Sequence, residues 1–150
     1  MSVRNDILTN LLTEMKTIRT STDYEAGIAV DPIIYHQSVL GADKSETPML
    51  MVVDEGTERV AVRTATETMY VFDISIWGYV SGFDWDETQE QLNALIADVK
   101  KWINTSPSLG DAVLQLRFVE VVANQYDETN KRALTQIAAT IRYKVTNGTY

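Results

Sequence analysis

The stretch Met69-Tyr70-Val71-Phe72-Asp73-Ile74-Ser75-Ile76-Trp77-Gly78-Tyr79-Val80 decides the fold. Phe72, Ile74, Ile76 and Val80 fall on one side of an extended chain, and Asp73, Ser75, Trp77 and Tyr79 on the other. A period of two is the signature of a strand with one buried face. The second face is not simply polar, because Trp77 and Tyr79 need cover. That cover comes either from another element of the same domain or from another subunit, since Trp and Tyr are enriched at interfaces. Trp77 and Tyr79 are therefore the candidate interface residues.

Working outward, Ser81-Gly82-Phe83 ends the strand and a helix follows. Asp84 is placed to cap it, with Glu87 three residues later in capping-box position. Leu92, Leu95, Ile96, Val99, Trp102 and Ile103 form its apolar stripe, with Glu87, Glu90, Asp98, Lys100 and Lys101 largely outside. Pro107 and Gly110 stop it. On the N-terminal side, Val3, Ile7, Leu8, Leu11, Leu12, Met15 and Ile18 recur at spacings of three and four, which predicts a first helix over 3–18 capped by Ser2. A strand region over 26–37 is interrupted by Asp31-Pro32, where a kink or an edge strand is expected. Residues 38–47 read as loop. Pro48 introduces a buried strand over 49–53, Asp54-Glu55-Gly56 turns it, and 58–64 returns. Two strands close the chain, 113–122 and 132–145, joined by a loop over 123–130. Leu114, Leu116 and Phe118 share one face of the first. Residues 146–150 read as a flexible tail of a single domain spanning 1–150. Helices are few and strands mostly consecutive. The class is α+β, an antiparallel or mixed β-sheet with two main helices packed on one face.

Composition narrows the chemistry. The chain has no cysteine, which removes disulfides, thiolate metal sites and cysteine nucleophiles. Twenty-one acidic residues against 13 basic give a net charge of −8, with no basic footprint for gripping phosphates. No window offers the ~18 apolar residues of a membrane span, and Met1 to Asp6 lack the apolar run of a signal peptide. Asn104-Thr105-Ser106 and Asn147-Gly148-Thr149 match the glycosylation sequon but read as a helix end and a tail. His36, the single histidine, has only Ser38 near it and reads as a strand or loop residue. Asp84-Trp85-Asp86-Glu87 lacks the alternating oxygens and glycine of a calcium loop and reads as a helix cap. No phosphate-binding loop and no nucleophile elbow occurs. No catalytic, cofactor-binding or metal residue is assigned, and no cofactor.

The order of elements resembles the tail-terminator and tail-completion proteins of long-tailed bacteriophages. The residues that carry it are the amphipathic helix over 3–18 and Pro48-Met49-Leu50-Met51-Val52-Val53-Asp54-Glu55-Gly56-Thr57-Glu58. They continue in the strand ending Phe72-Asp73-Ile74-Ser75-Ile76-Trp77-Gly78-Tyr79-Val80, the helix containing Leu92-Asn93-Ala94-Leu95-Ile96-Ala97-Asp98-Val99, and the closing Ile141-Arg142-Tyr143. The resemblance implies a non-enzymatic virion subunit, assembled in the host cytoplasm. It forms a ring with copies of itself, usually a hexamer, at the head-proximal end of the tail. There it stops tail-tube polymerisation and meets the tail tube protein and the head-side neck protein. DNA passes through without specific binding, and no membrane is involved. Two other readings remain: a different neck subunit (a stopper or connector) or contractile-injection component, and a small α+β ligand-binding protein or enzyme with a pocket between sheet and helices. The loops over 38–47 and 123–130 are expected to be mobile until a partner orders them.

Overall fold

A computed structural model describes residues 3–34 and 46–148. The elements run α1 (Val3–Thr20), β1 (Ile33–Ile34), β2 (Met49–Arg63), β3 (Glu67–Ser81), α2 (Trp85–Asn104), β4 (Val113–Asp127) and β5 (Arg132–Thr146). Among the described residues they form a five-stranded sheet in the order β1-β2-β3-β5-β4. β2, β3, β5 and β4 are antiparallel to their neighbours, while β1 runs parallel to β2 beside Met51 and Val52. The sheet is thus mixed and the class α+β.

The two helices lie on one face for the reason the alternation dictates. Phe72, Ile74, Ile76 and Val80 of β3, with Ile137, Ala139, Ile141, Tyr143 and Val145 of β5, meet Ile7, Leu11, Met15 and Ile18 of α1. The same core takes in Leu92, Leu95, Val99 and Trp102 of α2. The closest approach is at Gly78. A Cβ built there would stand 2.3 Å from Leu95 Cδ2 and 3.1 Å from Thr135 Cγ2, so the missing side chain is the hole into which Leu95 fits. Asp84 caps α2 by accepting from Glu87 N–H at 2.8 Å, and Glu87 Oε2 accepts in return from Phe83 N–H at 3.0 Å. The return bond comes from the residue before the cap, one step outside the usual capping box.

Several expectations are corrected. Asp54-Glu55-Gly56 is not a turn but an irregularity within one 15-residue strand, where register slips between Asp54 and Glu58. Gly56 has φ +77°, and its N–H donates to Asp54 Oδ1 at 2.9 Å. A left-handed glycine after an acceptor side chain serves a bulge as well as a turn. The hairpin instead turns at 64–66, where Thr64 N–H and Oγ1 both donate to Glu67 O. The loop expected over 123–130 is mostly strand. Residues 123–127 pair with β5, and only a tight connection over 128–131 remains. Asp127 accepts from Asn130 N–H and Nδ2, Lys131 adopts φ +54°, and Thr88 Oγ1 of α2 donates to Lys131 O. Leu114 does not share the face of Leu116 and Phe118, because it is the extra residue of a bulge. Only Ile33 and Ile34 of the region expected as strand over 26–34 are strand; Pro32 precedes them, as an edge position allows. Thr146 ends β5, and Asn147 is tied down: its N–H donates to Thr66 O, and Thr68 Oγ1 donates to its Oδ1 at 2.6 Å. Ser2, His36, residues 38–45 of the expected loop, and residues 149–150 lie outside the described residues.

Candidate functional site

Among the described residues, no helix is long and apolar enough to cross a membrane. Among the described residues, no three His, Asp or Glu side chains come together to hold a metal. The feature that stands out is instead the sheet face turned away from the helices.

That face has two parts. At one end a small apolar cluster forms from Met49, Met51, Tyr79 and Leu134, with Val30, Ile33 and Trp77 packed against it. The segment leading into β1 therefore covers this end, and it does so within the chain. Tyr79 is 5% exposed and Trp77 half-buried. The strand register brings the two candidate residues opposite Met49 and Met51, so they share this cluster.

Among the described residues no element covers the other end. There β2, β3, β5 and β4 enclose an open trough of about 840 Å³. The register places Val71, Asp73 and Ser75 of β3 beside Arg142, Thr140 and Ala138 of β5, and those beside Gln115, Arg117 and Glu120 of β4. Small side chains on the central strands keep the floor low. Asp73 is held by Thr57 Oγ1 at 2.6 Å and by Arg59 at 3.5 Å; Ser75 donates to Glu55 and accepts from Gln136 Nε2 at 3.2 Å. Arg117 and Arg142 are exposed and have no ion pair among the described residues.

The edge at β4 is shaped by three irregularities, which displace Leu114, Val119 and Val122 from the ladder. Each is about half exposed, as is Tyr126 near the strand's end. Bulges bend an edge strand and spoil it as a template for another strand, so β4 presents side chains rather than backbone. Trp85, at the start of α2, packs edge-on against Tyr126 with ring centroids 5.1 Å apart.

On the helix side, a polar clamp joins α1 to β2 and β5. Arg4 bonds Asp54, with Nε 3.1 Å from Oδ2, and lies 3.4 Å from Glu58; Tyr143 donates its hydroxyl to Glu58 at 2.5 Å. Arg4 also stacks 4.4 Å over the Phe72 ring. Burial by itself would push the Asp54 carboxyl up, but the bonds from Arg4 and Gly56 and the charge of Arg4 outweigh it, leaving the group below the ordinary carboxylate value. Burial, then the bond to Glu58 and its charge, push the Tyr143 phenol up. A second polar anchor escaped the sequence reading. Asp98, set outside the apolar stripe of α2, is 5% exposed and accepts from Glu25 N–H at 3.0 Å and Ala26 N–H at 2.6 Å. Both groups join elements of the fold: Arg4 and Asp54 tie α1 to β2, and Asp98 ties α2 to the segment after α1.

No protein-family model matches the sequence, and no curated protein matches it. The fold is similar to that of a chain in the solved structure of the virion of a native gene transfer agent (GTA) particle. The TM-score is 0.58, the identity 15%, and the match covers 96% of each chain. A likeness at that identity shows a shared fold.

Proposed function

We propose that this chain is a structural protein of a phage-like virion, a tail-terminator-type subunit that assembles with other proteins and performs no catalysis. The observation that carries the reading is the likeness in fold, over 96% of both chains, to a chain of a gene transfer agent virion. The element order read from the sequence points the same way by an independent route. In this reading copies of the chain close into a ring, a hexamer, at the head-proximal end of the tail. One side of the ring meets the tail tube and the other the head-side neck protein. Its net charge of −8 suits a lumen through which DNA passes without adhering. The virion is its place of work, and the host cytoplasm its place of assembly. Trp77 and Tyr79 remain in the proposal as supports of the sheet face next to the subunit boundary, with their direct packing inside the chain.

The test is deletion of the gene from the particle that encodes it, followed by electron microscopy of the products. Tails of uncontrolled length and heads without attached tails are expected. Complete particles of normal tail length would contradict the proposal.

A further inference from the structure

The trough holds two arginines in an arrangement that asks for a counter-charge. Arg117 lies opposite Thr140, and Arg142 follows Thr140 by two residues on the same face. They are diagonal neighbours, about 7–8 Å apart by strand geometry. Two like charges this close repel, and neither has an ion pair among the described residues. Yet the chain is acidic overall, so carboxylates to neutralise them are plentiful elsewhere.

The complement lies on the opposite side of the molecule. Asp86 and Glu90 are exposed on the first turns of α2 and likewise make no ion pair or side-chain hydrogen bond among the described residues. Their i, i+4 spacing puts them about 5–6 Å apart on one helix face. Asp84 and Glu87, by contrast, are occupied in capping. Two full negative charges outweigh the roughly half positive charge of the helix start.

We infer that the trough receives the start of α2 from a second copy of this chain, with Asp86 and Glu90 set against Arg117 and Arg142. This rests on the assembly role proposed above and names the two surfaces through which copies meet. The trough is on the helix-free face and α2 on the helix-covered face. The contact is therefore head to tail, the kind that closes into a ring when the rotation allows. The small floor side chains Ser75, Ala138 and Thr140 leave room for a helix end to approach the sheet. On the same face Asp73 is engaged by Thr57 and Arg59 and Glu55 by Ser75, while Glu120 makes no ion pair among the described residues.

Charge reversal tests the pairing. Wild-type chain, R117E/R142E, D86R/E90R and the quadruple variant are compared by sedimentation equilibrium at two salt concentrations, with circular dichroism as the check on folding. Each double reversal is expected to weaken self-association by about tenfold or more, and the quadruple variant to restore it. Where a reversal unfolds the chain, the neutral pair on the same surface, R117Q/R142Q or D86N/E90Q, replaces it. A self-associating wild type whose double variants associate equally well overturns the pairing and leaves the assembly role standing. Loss in the arginine variants alone, with D86R/E90R unaffected, overturns the start of α2 as the surface of the second copy that enters the trough. A wild type that stays monomeric at all concentrations, with tail tube protein added as well, contradicts both.

Discussion

Gly78 shows how much one residue decides. Its empty position receives Leu95, which joins α2 to the middle of the sheet. Leu95→Ala is expected to cost about 2–5 kcal/mol in denaturant melts, and Gly78→Ala about 1–3 kcal/mol through overpacking. The double variant should cost less than the sum, because removing Leu95 makes room for the new methyl group. Asp98 is a second such residue. Asp98→Ala strands two backbone N–H groups and is expected to cost about 1.5–3 kcal/mol, read from the same melts. At Asp54 the effect depends on pH. Its folded-state carboxyl titrates below the unfolded value of about 3.9, so its contribution is complete above that value and is lost as pH falls through the folded one. Between pH 5 and pH 2 the wild type should therefore lose more thermal stability than Asp54→Asn. Parallel curves of Tm against pH would show that the bond to Arg4 contributes nothing.

Among the elements, legibility followed burial. β3 declared itself because it is central, and one of its faces is wholly apolar from Phe72 to Val80. α2 declared itself through Asp84 and Glu87. Asp84→Ala should cost around 1 kcal/mol in stability, and unchanged stability would show the cap to be redundant. β2 and β4 were misjudged because they emerge from the core. Residues 55–63 and 122–127 are exposed throughout, so no alternation marks them as strand. At Gly56 the chemistry of a turn and of a bulge is the same, and only the partner strand distinguishes them. The bulges of β4 also hid the trough. Displacement of Val119 breaks the count by two between Arg117 and Glu120, which share one face. For Trp77 and Tyr79, parity gave the correct face. It was silent on what covers them, which is a contact between segments about 45 residues apart in sequence. Asp98 looked like a surface residue because its partners are backbone N–H groups, which carry no sequence signal.

At the scale of the whole molecule, the architecture is one-sided. Both helices pack on one face, and among the described residues one end of the other carries no covering element and forms a low-floored trough. Together with the fold shared with a chain of a virion particle, this underlies the proposal that the chain works as one subunit among identical neighbours. Heterologous contacts of this kind need two different surfaces per copy, and the trough and the start of α2 are the proposed pair. The assembly should form more readily at low salt, since charge pairs steer the encounter of the copies and are screened as ionic strength rises. The most direct test is the mass of the purified chain in solution, measured by light scattering across a range of concentration and with tail tube protein added. The expected result is a closed species of defined size, six copies of the 16.9 kDa chain, formed either alone or on the tube. A monomer that persists under all these conditions would contradict it.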